Sequence, residues 1–187
     1  MGGSPIYPPQ PAGLWRQTGR NEPKYVAATN QDRFRRGIYV VWRRAAPYPS
    51  FVNFDGPDRS TCHPKRSRTN TPLQALTLLN DEAYVEMAMA FAGRILAEPD
   101  LSNDEQRIDF AFRVALTRPP IPVEVAYLNQ LLAKREAALA AEPKVARQLV
   151  SGVKNWRMPA GVEADDLAKW FTVANVLLNL DEAITKG

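Results

Sequence analysis

The sequence has only one cysteine and one histidine among its 187 residues. A single cysteine excludes an internal disulfide, a cysteine-based zinc site and the C-x-x-C-H motif that attaches haem. A single histidine excludes any metal site with two histidines, so a metal would need several carboxylates from distant parts of the chain. We therefore expect no metal and no cofactor in this chain.

Long apolar runs are also missing. The longest ones fall well short of the roughly 20 residues that span a bilayer. The first residues lack the basic, apolar and small-residue order of a signal peptide. We therefore expect neither a membrane span nor a signal peptide. A chain of this length suits one domain and can bury a core of its own.

Charge is divided unevenly along the chain. The net charge is +4, but residues 1–68 hold 12 basic and 4 acidic side chains, a net +8. Residues 69–187 hold 12 basic and 16 acidic side chains, a net −4. Eight of the 16 prolines fall within the first 57 residues. We interpret this as a basic front and an acidic back that pack together, with an external anionic partner as the alternative.

Prolines and glycines dominate the front of the chain. Residues 1–13 hold four prolines and three glycines, which predicts an extended arm. Residues 32–46 carry apolar side chains at helical spacing, with Asp32 as a candidate N-cap, which favours a helix. The alternative is a strand over residues 38–42, where β-branched and aromatic residues are dense. Four prolines then predict irregular structure over residues 47–70.

Helical periodicity and capping residues organise the back of the chain. Thr71 before Pro72 predicts a helix start, and Ser102 with Glu105 has the spacing of a capping box. The longest apolar stripe, around Trp170, predicts the central core helix. The predicted helices cover residues 72–79, 81–98, 102–117, 123–141, 144–151 and 164–184.

Together these patterns predict an all-α fold, an irregular bundle of about five to seven helices with a long Pro/Arg-rich N-terminal arm. Residues 1–71 form the basic arm and loop segment with one helix, and residues 72–187 form the helical core. We expect the two parts to belong to one domain or to part of one.

The segment FDGPDRSTCHPKRSRTNTPLQA (54–75) concentrates polar side chains without helical periodicity. Because it leads into a helix N-terminus with arginines just upstream, it predicts a site for a small anion. The alternative is that its aspartates and arginines pair with one another and only fix the loop. The candidate ligand-binding residues are Asp55, Asp58, Arg59, Arg66, Arg68, Asn70 and Gln74.

Cys62 and His63 are adjacent in this segment. Neighbouring residues of an extended chain point to opposite sides, so this pair does not predict a nucleophile and its base. We expect Cys62 to be a small buried residue and His63 to be a loop histidine. A separate hypothesis is an open nucleic-acid-binding face, which would be formed by Arg33, Arg36, Arg43 and Arg44.

Four segments carry a resemblance to a known family: GGSPIYPPQPAGLW (2–15), DRFRRGIYVVWRRAAPYPSFVNFDGPDRSTC (32–62), RTNTPLQALTLLND (68–81) and ANVLLNLDE (174–182). The chain resembles the domain of unknown function numbered fifteen fifty-three. This is the C-terminal domain of large exported proteins that are abundant in planctomycetes and commonly carry a cytochrome-c-like segment upstream. The haem motif is absent here. A helical part normally precedes the G-G-x-S block, so the chain resembles the C-terminal portion of the domain.

The resemblance implies an extracytoplasmic location and, as partners, the N-terminal portion of the domain or other domains of a longer protein. It brings no established activity and no catalytic residues. The leading hypothesis is a scaffold or interaction module. The alternative is a portion of an enzyme that acts on an anionic, polysaccharide-like substrate or in a cytochrome-linked redox pathway. Nucleic-acid binding is the least favoured of the three.

Overall fold

The computed structural model describes residues 2–18, 24–62, 64–65, 67–154 and 156–185. The chain forms two compact units, Met1–Thr77 and Leu78–Gly187. The described residues contain eight α-helices and no β-strand, which confirms the predicted all-α fold. The helices are α1 (Pro49–Asn53), α2 (Pro72–Asn80), α3 (Glu82–Ala97), α4 (Asp104–Leu116), α5 (Pro122–Ala141), α6 (Pro143–Gly152), α7 (Ala164–Leu178) and α8 (Asp181–Ile184).

The core of the Leu78–Gly187 unit is built around α7. This helix packs against α3, α4, α5 and α6, and the side chains of Trp170 and Leu177 are completely buried. Each large apolar side chain buried in this way stabilises the unit by roughly 1.5–3 kcal/mol. The prediction that this helix is the centre of the core is confirmed.

The predicted helix over residues 164–184 is interrupted at Asn179 and Leu180, and α7 and α8 lie on either side of this pair. Asn179 donates its backbone N–H to carbonyls of the last turn of α7. Its side chain donates to the carbonyl of Asn175 at 3.0 Å. Leu180 has an extended backbone. These local bonds close α7 at Leu178, six residues before the predicted end of the helix.

Short polar side chains begin α3 and α4. Asp81 accepts a hydrogen bond from a first-turn N–H of α3 at 3.0 Å, which confirms the predicted break before that helix. Asn103 caps α4 by accepting from the Gln106 N–H at 2.9 Å. The predicted capping box of Ser102 and Glu105 is therefore wrong by one position. Asparagine is as good an N-cap as serine, and Gln106 Oε1 accepts from Ser102 N–H at 2.8 Å.

Gly93 marks the place where an irregular segment crosses α3. A Cβ atom at this position would lie 3.1 Å from Trp156 Cζ2 and 3.1 Å from Pro159 Cγ. These distances are tighter than ordinary van der Waals contact, so a larger residue at this position would push Trp156 and Pro159 away by a few tenths of an ångström. The segment between α6 and α7 is thereby held against the core.

The predicted helix over residues 32–46 is wrong. Two 3₁₀ turns replace it, Gln31–Phe34 and Gly37–Tyr39. The first turn is capped by Asn30, whose side chain accepts from the Asp32 N–H at 3.1 Å. Ile38, which the helical stripe predicts to be inward, is 78% exposed. The apparent stripe therefore does not mark one buried face.

Non-local contacts explain why this segment is not a helix. Val40 has an extended backbone and forms an isolated parallel bridge with Ile6. Trp42 stacks on Phe51 of α1 with ring centroids 5.5 Å apart. The alternative of a strand over residues 38–42 is met only at this bridge. Partners far away in the sequence have overridden the local helical preference.

Phe51 is enclosed by two glycines. A Cβ atom on Gly37 would lie 2.9 Å from Phe51 Cε1, and one on Gly56 would lie 2.6 Å from the Phe51 carbonyl oxygen. Tyr48 meets the same ring edge-on at 5.5 Å. This packing forms around α1, a five-residue helix inside the stretch that the prolines predict to be irregular.

Candidate functional site

The segment between α1 and α2 is closed on itself by Asp55 and Thr69. Asp55 has a left-handed backbone with φ 55°, a conformation that costs free energy in a residue other than glycine. Its Oδ2 accepts from the N–H and from the hydroxyl of Thr69, both at 2.8 Å. Two bonds to one carboxylate oxygen bring the two ends of this 15-residue segment together.

Gln74 is the most buried of the candidate residues, with 1% of its surface exposed. Its Nε2 donates to the Asn53 carbonyl at 2.8 Å and to Thr69 Oγ1 at 3.0 Å. Its Oε1 accepts from the Thr71 N–H at 2.9 Å. Both amide hydrogens are therefore used within the protein, and Gln74 joins α1, the loop and α2.

Thr71 and Gln74 form a capping box at the start of α2. The Thr71 hydroxyl accepts from the Gln74 N–H at 3.3 Å, and the Gln74 side-chain oxygen accepts from the Thr71 N–H. The spacing T-x-x-Q is the signature of this motif. Because Pro72 has no N–H and the Gln74 N–H is capped, α2 offers an anion fewer donors than an uncapped helix.

Asp58 and Arg59 are held by different neighbours. The carboxylate of Asp58 accepts from the Ser60 N–H at 3.0 Å and from its hydroxyl at 2.6 Å. Arg59 has a left-handed backbone with φ 61°, and its guanidinium lies 4.6 Å from the centroid of the Trp42 ring. A cation over an indole face is a favourable contact. Both residues are nevertheless exposed to solvent.

Arg68 and Asn70 are exposed on either side of Thr69. Arg66 and His63 lie outside the described residues. Cys62 is exposed with a free thiol, so the prediction that it is a small buried residue is wrong. The chain around it is irregular and open to solvent, and it offers no apolar interior for the thiol.

The structure therefore divides the candidate residues into two sets. Asp55, which is partly buried, and Gln74, which is buried, are joined through Thr69. Asp58, Arg59, Arg68 and Asn70 remain on the exposed side of the loop. The residues that sequence reasoning missed are Asn53 and Thr69. The sequence predicts Thr71 as a helix start, and the T-x-x-Q spacing could also have revealed its bonds with Gln74.

The arginines of residues 33–44 do not form one open face. Arg33 is 7% exposed and donates to the Thr29 carbonyl at 2.6 Å. Arg43 lies over the Trp15 ring at 4.9 Å. Arg36 and Arg44 are exposed. The predicted nucleic-acid-binding face would need all four side chains to be available to phosphates, and two of them are engaged within the protein.

In the Leu78–Gly187 unit the main charged cluster joins Arg118 to two glutamates. Arg118 donates to Glu124 at 2.7 Å and to Glu182 at 2.8 Å. The hydrogen bonds from Arg118 lower the pKa of Glu124 below its ordinary value. The bonds to Glu124 and then to Glu182 raise the pKa of Arg118. The cluster fixes the start of α5 and holds α8 next to it.

Lys169 of α7 lies among three carboxylates in the same unit. Its Nζ is 3.6 Å from Asp166, 3.9 Å from Glu136 and 4.0 Å from Asp104.

Within the described ranges, no group of three His, Cys, Asp or Glu side chains could hold a metal ion. The same part of the chain contains no helix with the length and apolarity that a bilayer crossing requires.

Fold and site together define an all-α protein in which the described part of the polar loop is bonded to itself, to α1 and to α2. The sequence matches the family described as "Protein of unknown function (DUF1553)" over residues 1–132. The chain therefore belongs to this family, in agreement with the resemblance of its motifs. Comparison with curated proteins and with solved structures finds no match.

Proposed function

We propose that the chain is an interaction module that helps to scaffold a longer, extracytoplasmic protein of its family. The observation that carries this proposal is the bonding of the polar loop. An enzyme site would direct Asp55 and Gln74 towards a ligand, whereas here Asp55 closes the loop on itself and Gln74 fixes the loop to α2. Hydrogen-bond networks in which each polar group has a partner make a structure rigid. A rigid structure is suited to presenting a binding surface.

The surface presented is the outer side of α2. Leu73, Leu76 and Leu79 recur every third residue and are 56%, 57% and 46% exposed. Residues three apart on a helix are neighbours, so the leucines form one stripe, which we call the α2 stripe. Gln74 lies on the buried side of the same helix. A contiguous apolar stripe on a rigid helix is typical of a protein interaction site.

The partner that fits is an amphipathic helix from another part of the longer protein, with carboxylates at one end of its apolar face. Its apolar side would cover the α2 stripe. Arg68 and Lys65 are exposed just before α2, and they would receive the carboxylates. In this proposal the anion predicted for the loop is a side chain of the partner.

The test compares the purified chain with the double variant Leu73→Gln/Leu76→Gln. An uncovered α2 stripe should make the wild-type chain bind a hydrophobic fluorescent dye and self-associate in sedimentation velocity as concentration rises. The double variant should lose both properties. Ile38→Gln, which alters an isolated exposed residue of 78% exposure, serves as the control and should retain them.

Two results would refute the proposal. One is a wild-type chain that stays monomeric at every concentration and binds no more dye than the double variant. The other is a loss of dye binding in Ile38→Gln as large as that in the double variant. A further comparison with Arg68→Glu tests the partner's charge. This variant should keep its dye binding but lose affinity for an acidic amphipathic peptide.

A further inference from the structure

The segment Gly2–Pro8 lies on the Met1–Thr77 unit as a bound peptide would. Arg35 donates to the Gly2 carbonyl at 2.6 Å and to the Ser4 carbonyl at 3.0 Å. The Ile6 N–H donates to the Tyr39 carbonyl at 2.8 Å. The Ile6 carbonyl accepts from Val41 N–H at 3.0 Å. Two of these four bonds join main chain to main chain, as in strand addition, and the other two come from the Arg35 side chain.

Further along the segment, two more carbonyls are bound. The Ala28 N–H donates to the Tyr7 carbonyl at 2.7 Å, and the Tyr25 hydroxyl donates to the Pro8 carbonyl. Five carbonyls between Gly2 and Pro8 are thus acceptors for donors outside the segment. The segment is therefore bound mainly through its backbone carbonyls, and most of its side chains are not needed for these bonds.

From Pro5 to Pro8 the side chains alternate between more accessible and buried positions. Ile6 is 5% exposed and Pro8 is buried, whereas Pro5 is exposed and Tyr7 is partly buried. This two-residue period is that of an extended chain lying on a surface. Prolines restrict the free segment to extended conformations, so little conformational entropy is lost when it binds. Ile6 is therefore the anchor side chain, and the prolines hold the backbone in the extended conformation that binds.

The surface beneath the segment is built from two parts of the chain. Tyr25 and Ala28 supply donors on one side, and Arg35 and residues 39–41 supply the rest. The Arg35 guanidinium lies 3.8 Å from the centroid of the Tyr39 ring, which orients its planar fork towards the carbonyls. We call this surface the arm groove.

We propose that Gly2–Pro8 is a built-in ligand of the arm groove, and that the groove binds the same kind of segment from a second polypeptide when its own arm leaves. The ligand class is an extended peptide with a proline directly before an aliphatic residue. A tethered arm has an effective concentration on the order of millimolar, so a free peptide competes poorly until the arm is weakened. This site is distinct from the α2 stripe and does not depend on it.

The experiment titrates a fluorescein-labelled peptide with the sequence of residues 2–9, GGSPIYPP, against the full chain and follows fluorescence anisotropy. Ile6→Ser removes the anchor of the tethered arm and leaves the groove intact. It should bind the peptide at least about tenfold more tightly than the wild-type chain does. A peptide with serine in place of isoleucine should not bind either chain. Ile38→Ser, a matched change outside the groove, should behave as wild type.

Equal peptide affinity of the Ile6→Ser and wild-type chains would overturn the proposal. If Ile6→Ser does not fold, native-state hydrogen exchange on the wild-type chain decides the matter. A dissociable arm lets the amides of Ile6, Ala28 and Val41 exchange by local opening, while the Gly56 amide, bonded to the Phe51 carbonyl, stays protected. Exchange of all four amides in one event would show that the arm is a fixed part of the fold, and the proposal would fail.

Discussion

Replacing Gln74 with alanine tests whether one side chain holds the loop to α2. The change removes the bonds to the Asn53 carbonyl, to Thr69 Oγ1 and from the Thr71 N–H. Each such bond contributes about 1 kcal/mol net, and a buried partner left unsatisfied costs at least as much. We therefore expect Gln74→Ala to lower the free energy of unfolding by about 3 kcal/mol.

The two compact units allow this loss to be located. The indole NMR signal of Trp42 reports on the Met1–Thr77 unit, and that of Trp170 reports on the Leu78–Gly187 unit. In urea, with a slope of about 1.5 kcal/mol/M for a small unit, the Trp42 transition should move down by about 2 M. The Trp170 transition should stay in place.

Two matched variants sharpen the interpretation. Gln106 also accepts from a residue that precedes its helix, Ser102, but it is exposed. Gln106→Ala should therefore cost no more than about 0.5 kcal/mol. Gln74→Glu keeps the acceptor for Thr71 but loses both donors, so it should still destabilise. The reasoning is refuted if Gln74→Ala costs less than about 1 kcal/mol, or if it shifts the Trp170 transition equally.

Two further predictions concern the Leu78–Gly187 unit. The lowered pKa of Glu124 means that its stabilising contribution is present above its ordinary pKa of 4.5 and is lost as pH falls further; Arg118→Ala should flatten this acid dependence in pH-resolved melting. Gly93→Ala should lower the free energy of unfolding by about 1–3 kcal/mol, and with it the melting temperature, by crowding Trp156. Gly152→Ala, with open space around its Cβ, should raise the free energy of unfolding by up to about 1 kcal/mol. An unchanged pH profile, or a stabilised Gly93→Ala, would contradict the respective expectation.

Local signals were enough to predict most of the helical back of the chain. A cap, a first-turn proline and a 3.6-residue apolar period occur together at α2, and the start of α3 follows directly from Asp81. These features depend on neighbours within about four residues, so sequence alone can reveal them. Where two good caps stood side by side, Ser102 and Asn103, their order could not be decided by propensity.

The front of the chain depended on pairs that sequence does not reveal. The bridge between Ile6 and Val40 joins residues more than thirty positions apart. Because of this bridge, Val40 has an extended backbone and does not follow the helical period of its neighbours. The candidate site shows the same limit. Gln74 has a polar amide side chain of the kind that binds ligands, but its partner Asn53 lies on another helix. Its structural role is therefore visible only in the fold.

The arginine contacts of the Met1–Thr77 unit have an electrostatic consequence. Arg35, Arg43 and Arg59 lie over aromatic rings, and Arg35 also binds carbonyls. Rings and carbonyls hold a guanidinium in place without cancelling its charge. The charges of these three arginines thus remain as a positive potential fixed to a folded surface. Such a potential accelerates the approach of an acidic partner at low ionic strength, and salt at about 0.1 M removes the advantage beyond about 10 Å.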